Sequence, residues 1–465
     1  MLERLSSFDR AIFLTVLSLL ALLGLLLWLG DRAGVRVAEL SPADEASAVS
    51  TLSPLRVRFQ ASMDMSQLPE ITLTPSVEGE AQWEDERTLL FIPAEPLAPE
   101  TRYEVTVPAG LESEAGRQLR QPLSWRFETA APRVLYLGWQ GDERTQVYVS
   151  GLDDQRPTAL TEAPLGVIDF NISPDGQTIS YSAEREDGGS DLWAVDRDGE
   201  ENRRLLDCGA DRCTGSVWAP SGDRLVYERR AITGADVPPG PARLWWLDPA
   251  GGETLPVFSD SQQLGMSAAF SGDGEWLSFV VPLQQQLQAY NLKTGASLVI
   301  PSATGEPPAW PPEADVMLTS DIWFQGERFS TYIFRLEPPA GEMINLSGER
   351  VTNDGNPVWS PDGEWVAFGR KIPRAPVGRQ LWLMRPDGSE QLPLTEDPDS
   401  NFGLPAWSPG GDALLAQRFR ISNPGAPAIW LIDLADVDLA DTESIPEDVQ
   451  LREIASPGVQ PRWLP

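Results

Sequence analysis

Past residue 30 the chain is written in short alternating runs of apolar and polar positions. Leu55-Arg-Val-Arg-Phe59, Ile71-Thr-Leu-Thr74, Thr88-Leu-Leu-Phe-Ile92, Tyr103-Glu-Val-Thr-Val107 and Leu123-Ser-Trp-Arg-Phe127 each have period two, and Pro and Gly part them. That pattern predicts antiparallel strands, and their spacing predicts a β-sandwich over residues 36–130. The opening segment follows a different rule. Ala11 to Gly30 is a stretch of 20 residues without a charge, the ~20 that a helix needs to cross a ~30 Å hydrocarbon core. It predicts a transmembrane signal-anchor helix over 11–30 after a cytoplasmic tail, 1–10. A cleaved signal peptide is the alternative, but its apolar region usually runs only about 7–15 residues.

From residue 133 onward the pattern repeats. An aromatic or Ile followed by Ser-Pro-Asp-Gly, or a decayed form, stands at Ile172–Gly176, Trp218–Gly222, Phe270–Gly274, Trp310–Pro312, Trp359–Gly363 and Trp407–Gly411, with Trp463-Leu-Pro465 ending the chain. Between equivalent positions the steps are 46, 52, 40, 49, 48 and 56 residues, a period that means a propeller or solenoid. Proline presets φ at a turn corner, and Asp-Gly supplies the conformations of a tight hairpin. The aromatic before the turn is placed to wedge between neighbouring sheets.

A second hairpin follows each turn, and seven of them begin near Thr145, Asp191, Arg243, Gln286, Ser330, Gln380 and Ala428. Six complete first strands face them. The missing one lies at the other terminus, where Val459-Gln-Pro-Arg-Trp463 can complete the sheet opened by Val134–Trp139. The fold class expected is therefore all-β: a seven-bladed β-propeller over 133–465, a sandwich before it and one membrane helix. Six or eight blades would require misreading the degenerate repeat at Trp310.

Two resemblances follow from these residues. Arg56–Asp64, Phe91-Ile-Pro, Leu97–Tyr103 and Trp125–Thr129 resemble bacterial Ig-like domains of cell-envelope and S-layer proteins, the SbsA type, which implies a spacer or adhesion unit without catalysis. The Trp-Ser-Pro-Asp-Gly units resemble the TolB-type propeller repeat, which implies a periplasmic or surface binding module. Some relatives of that repeat are joined to α/β-hydrolase peptidases. No G-x-S-x-G occurs in this chain, so the nucleophile elbow of such a hydrolase is missing.

Composition narrows the chemistry. Histidine is absent, which removes Ser-His-Asp triads, Cys-His dyads, His-ligated zinc and imidazole acid–base catalysis. A formal charge of −33 argues against a nucleic-acid partner, because phosphate binding needs a basic surface. No cofactor is expected. The only cysteines, Cys208 and Cys213, either close a small disulfide outside the cytoplasm or remain loop thiols. Asp433 to Asp448 holds seven carboxylates. A solvated loop is the expectation there and no metal site, since calcium-loop spacing is missing.

Against this acidity, two loops joining second to third strands are basic. Arg370, Lys371, Arg374 and Arg379 lie in one, Arg418 and Arg420 in the next, with no acid among them. They are the candidate binding residues. Arginine forks suit an anionic group of an envelope glycan or an acidic protein, while a solvated or ion-paired loop is the plainer account. The expectation is a membrane-anchored extracytoplasmic binding or scaffold protein, its bulk periplasmic or on the cell surface, and not an enzyme. A polysaccharide-active enzyme using Asp/Glu in the propeller channel is the alternative, and a purely structural platform the third.

Overall fold

The structure is a computed structural model that describes residues 13–22 and 34–465, apart from 142–143, 154–155, 235–236, 313–314, 326–327, 374–377, 436, 438 and 440–448. It divides into two compact units, Met1–Ala130 and Ala131–Pro465.

Residues 13–22 are helical, with every side chain exposed. No described helix is long and apolar enough to cross a membrane. The remainder of the expected span, like the expected tail 1–10, lies outside the described residues.

In the first unit two four-stranded sheets face each other. One runs in the order Val37–Ser41, Leu55–Phe59, Thr88–Pro93, Gly79–Asp85, the other Ala46–Val49, Leu123–Thr129, Arg102–Val107, Thr72–Thr74. Alternation drives the inward residues together: Leu55, Val57, Phe59, Leu89, Phe91, Tyr103, Val105, Val107, Trp125 and Phe127 are all buried in one core. The five strands expected from period two are present. Val37–Ser41, Ala46–Val49 and Gly79–Asp85 add to them, mostly exposed or half-buried edge strands whose polar residues hide the pattern.

The second unit is a β-propeller, an array of antiparallel sheets numbered I to VII here. Sheet I joins the two ends of the second unit, with Gly458–Leu464 innermost against Arg133–Gly138, then Gln146–Gly151 and Thr158–Ala159. Sheets II (Val167–Leu206) and III (Arg212–Pro256) have four strands each and meet at one bridge, Ser190 to Arg212. Sheet IV spans Met266–Pro301, sheet VI Asn353–Pro393 and sheet VII Ser400–Ala455. Sheet V is the degenerate one. Its first strand shrinks to a bridge between Ala309 and Leu318, followed by Met317–Gln325, Arg328–Leu336 and Ile344–Asn345.

The repeated phrase does two mechanical jobs. Within the turn, serine donates to aspartate and accepts the amide that opens the next strand. Ser360 Oγ lies 2.9 Å from Trp365 N and also bonds Asp362, and Ser271 and Ser173 repeat the arrangement. The turn glycines need a left-handed backbone, φ 70° at Gly363 and 75° at Gly411, which only glycine adopts freely.

Between sheets the tryptophan is a staple. The indole N–H of Trp463 donates to Ala406 O (3.0 Å), Trp407 to Val358 O (3.3 Å) and Trp359 to Ala309 O (3.3 Å). Trp310 and Trp218 reach the preceding sheet's Ser278 Oγ and Ser180 Oγ instead. Each bond contributes about 1 kcal/mol, beyond the apolar area the ring covers.

Candidate binding face

Strand direction alternates within each sheet, so the Ser-Pro-Asp-Gly turns open on one face of the propeller. The connections from second to third strands open on the other. The five basic candidates among the described residues, Arg370, Lys371, Arg379, Arg418 and Arg420, flank these connections, and the structure separates them.

Arg370 is buried at 5% exposure, with Nε and Nη2 forking onto Asp354 at 2.8 and 2.7 Å. Its remaining Nη1 donates to Gln391 Oε1, and the guanidinium packs against Phe368 and Trp382. Arg418 pairs with Asp397, donates to Ser400 Oγ and lies 4.2 Å over the Trp430 ring. Although burial opposes it, the bonds from Ser400, the Asp399 amide and Arg418 hold the Asp397 carboxyl below its ordinary value. Arg379 is half-buried along the backbone of Gly355 and Gly369, where an added Cβ would stand 3.0 and 2.6 Å from its side chain. Lys371 and Arg420 are exposed and, among the described residues, carry no ion pair. Arg374 lies outside the described residues.

The other sheets repeat the pairing. Arg185 engages Asp187 and Asp191, and Arg229 engages Asp211. The glycine-rich segment Asp187–Asp191 is thus closed by an arginine. No cluster of metal-binding side chains exists among the described residues. The described part of the acidic loop is anchored rather than free, since Leu434 is buried and Val437 and Leu439 pack against the same core. Cys208 and Cys213 form a disulfide, both buried between sheets II and III.

Carboxylates near the inner strands are also engaged. Five inner strands carry a residue of positive φ at one bulge position: Gly215, Ser267, Asn356, Leu404 and Gln460. In four of them a side chain of the preceding sheet accepts the amide of that residue. The acceptors are Asp169 for Gly215 (2.9 Å), Glu228 for Ser267 (2.8 Å), Glu306 for Asn356 (3.2 Å) and Gln417 for Gln460 (3.3 Å). These three acids and one amide fasten one sheet to the next.

What the sequence reading did not single out on this face is apolar. Trp323, Phe324 and Phe329 are exposed by 48%, 70% and 68%, at the end of the long hairpin of sheet V. Phe324 and Phe329 sit directly opposite each other across the two strands, ring centroids 6.3 Å apart. By alternation they share the side of Leu318 and Ile333, which packs on sheet VI, while Trp323 shares the side of Met317, packed on sheet IV. Leu283, Ile372 and Ile421 are exposed in the equivalent connections of sheets IV, VI and VII. A signal was present: Ile372 and Ile421 each follow a free cation, Lys371 and Arg420, where a loop has no reason to be apolar.

Comparison with known proteins agrees with this architecture. Residues 31–129 match the family of bacterial Ig-like domains. No curated protein matches the chain by sequence. Among solved structures, a mutant of puromycin hydrolase in complex with PGG shares the fold with a TM-score of 0.53 at 13% identity. The match covers 70% of this chain and 52% of that one, so the chain spans about half that enzyme's length. TolB from Acinetobacter baumannii matches at TM-score 0.42 and 13% identity, over 72% of this chain and 83% of that one. An oligogalacturonate lyase in complex with manganese matches at 0.47 and 16%, over 64% and 82%. At such identities the likeness is one of fold.

Proposed function

We propose that the chain is an extracytoplasmic binding or scaffold protein of the cell envelope. It comprises a seven-bladed, TolB-type propeller, an Ig-like spacer of the S-layer kind, and a membrane anchor supplied by the uncharged run 11–30. The propeller binds a protein partner on the face of the second-to-third-strand connections. The observation that carries this is the exposed aromatic hairpin end of sheet V, with Leu283, Ile372 and Ile421 in the equivalent connections of sheets IV, VI and VII. Exposed apolar residues concentrated on one face mark an interaction site, and aromatic anchors dominate protein interfaces. The two free cations, Lys371 and Arg420, would set orientation at the rim.

The rival reading, a polysaccharide-active enzyme, needs a free carboxylate pair. Asp169, Glu228 and Glu306 are tied to backbone amides, which supports binding over catalysis. The test is an affinity capture from solubilised envelope with the wild-type chain and with Phe324→Ser/Phe329→Ser. A stoichiometric partner taken by the first and lost with the second is the expected result. A partner held equally by both would move the site elsewhere, and hydrolysis of envelope glycan by purified protein would overturn the reading.

A further inference from the structure

The seams between neighbouring sheets are not equally fastened. From II–III round to VII–I each has a tryptophan staple, a side-chain clasp on the bulge amide, or both. The seam between sheets I and II has neither among the described residues. Ile172 holds the staple position of sheet II and has no side-chain N–H to donate. Beside this seam stands an arginine that a comparison of third strands singles out. Asp196, Asn291 and Asp433 each pair with the first residue of the second strand, in sheets II, IV and VII. The residue after each donates its amide to the carbonyl just before that strand: Arg197 to Gln177 (3.0 Å), Leu292 to Glu275 (2.7 Å) and Leu434 to Asp412 (2.9 Å). Leu292 and Leu434 pack here against the core. Sheet II puts Arg197 in the same place, 4% exposed. Its Nε, Nη1 and Nη2 are all closed to solvent and meet no hydrogen-bond partner. Arg370, the other buried arginine among the described residues, is forked by Asp354.

The surroundings of Arg197 come from both sheets. Arg133 opens the second strand of sheet I and reaches across to Asp198, the residue after Arg197, with Nη1 and Nη2 both 3.2 Å from Oδ1. Leu160, from the outer end of sheet I, lies against Gly199 of the same turn, where an added Cβ would stand 3.2 Å from its Cδ2. Asp175, in the Ser-Pro-Asp-Gly turn of sheet II, accepts from Ser173 Oγ and from the Gln177 amide. Both carboxylates whose charge acts on Arg197 are thus engaged elsewhere. Burial, and then the like charge of Arg133, push its guanidinium down to about 10. A buried charge without hydrogen bonds has lost its hydration and gained no replacement. A small anion lodged between the two guanidiniums supplies one through charge-assisted bonds. Because the nitrogens are closed to solvent, the ligand chemistry is that of a small inorganic ion and not of a glycan or peptide carboxylate.

We propose that Arg197 and Arg133 hold a buried monovalent anion of halide size, such as chloride, which fastens sheet I to sheet II at the seam without a staple or clasp. The site lies on the turn face of the propeller. It is separate from the aromatic face and does not depend on it.

Urea unfolding of the full-length chain in sodium chloride and in sodium gluconate, at equal ionic strength, tests the assignment. The wild-type propeller transition is expected at higher urea in chloride, and to keep rising with chloride concentration, as linkage to a bound ion requires. Arg197→Leu, which copies Leu292 and Leu434, should lose that dependence and match or exceed wild type in gluconate. Lys293→Gln, which removes an exposed cation of the same face, should keep it. Wild-type crystals soaked in bromide should show an anomalous peak between the Arg133 and Arg197 guanidiniums, a readout that needs no variant. Four results would each overturn the proposal. They are no chloride dependence in wild type, equal dependence in Arg197→Leu, Arg197→Leu less stable than wild type in gluconate, and no bromide peak at the two arginines.

Discussion

A charged side chain acquires its role here from what it meets across the strand. Arg370 and Arg420 are both arginines on second strands, and the chain treats them oppositely. Arg370 is sealed against Asp354, which is fully buried; Arg420 is exposed. Removing one partner of a buried pair strands the other and costs about 3–5 kcal/mol, whereas exposed substitutions usually stay within about 0.5 kcal/mol. Arg370→Ala is therefore expected to lower urea-unfolding stability by about 3–5 kcal/mol, and Arg420→Ala to leave it nearly unchanged. Equal small losses would contradict the buried pair. The basic cluster was legible in the sequence, but this division was not, and the reason is register. Near the turn, Trp359 pairs with Val366 and Val358 with Ala367. Counting outward without interruption would set Lys371 against Asp354. A bulge between Gly355 and Val358 shifts the pairing by one, so Asp354 faces Arg370. The same shift between Gly403 and Ala406 sets Phe402 opposite Arg418. No side-chain pattern marks that bulge, because its positive-φ residue is Gly, Ser, Asn, Leu or Gln in different sheets.

At the level of the strand, that bulge also decides what the inner carboxylates do. Asp169 accepts from Ser182 Oγ at 2.7 Å and from the Gly215 amide of the next sheet at 2.9 Å. Burial, with a smaller push from Glu228, nonetheless holds its carboxyl above the ordinary 3.8. An acid whose folded pKa is raised makes folding less favourable as pH rises from its unfolded value through the folded one. Asparagine can keep both contacts, accepting from Gly215 and donating to a rotated Ser182 hydroxyl, without the ionisation penalty. Asp169→Asn is thus expected to match wild type near pH 4 and to exceed it in urea midpoint at pH 7, the gap widening with pH. A variant that fell further below wild type as pH rose would show that the negative charge itself is needed. Strands of period two, turns and staple tryptophans could all be read in advance, since each is a local pattern. The clasps could not, because Asp169 and Gly215, or Glu306 and Asn356, lie about one repeat apart and meet only once the sheets stack.

For the whole propeller, closure was legible because a repeat array with one unit short of its inner strand has a single remedy, the other chain end. Gly458–Leu464 supplies it, pairing with Arg133–Gly138 and carrying Trp463, whose indole reaches Ala406 in sheet VII. One short segment thereby completes sheet I and staples it to its neighbour. The cluster holding Val134, Tyr136, Tyr148, Leu415, Ile429 and Trp463 draws on both ends of the propeller and on sheet VII. A chain stopped after Ala455 loses the strand, the staple and part of that cluster, and leaves Arg133–Gly138 as an open edge, the condition that promotes pairing between molecules. The Ig-like unit owes nothing to this segment, since its core is drawn wholly from residues before Ala130. Calorimetry of the truncated chain should accordingly lose the propeller's cooperative transition and keep a separate one for the Ig-like unit. Adding a peptide of residues 456–465 at millimolar concentration should restore the first. If the truncated chain kept both transitions, the ring would be held by its inter-sheet clasps alone and the terminal strand would be dispensable. If the peptide failed to restore the lost transition, closure would depend on covalent continuity with sheet VII, through the short link between Ala455 and Gly458, and not on the strand's own pairing.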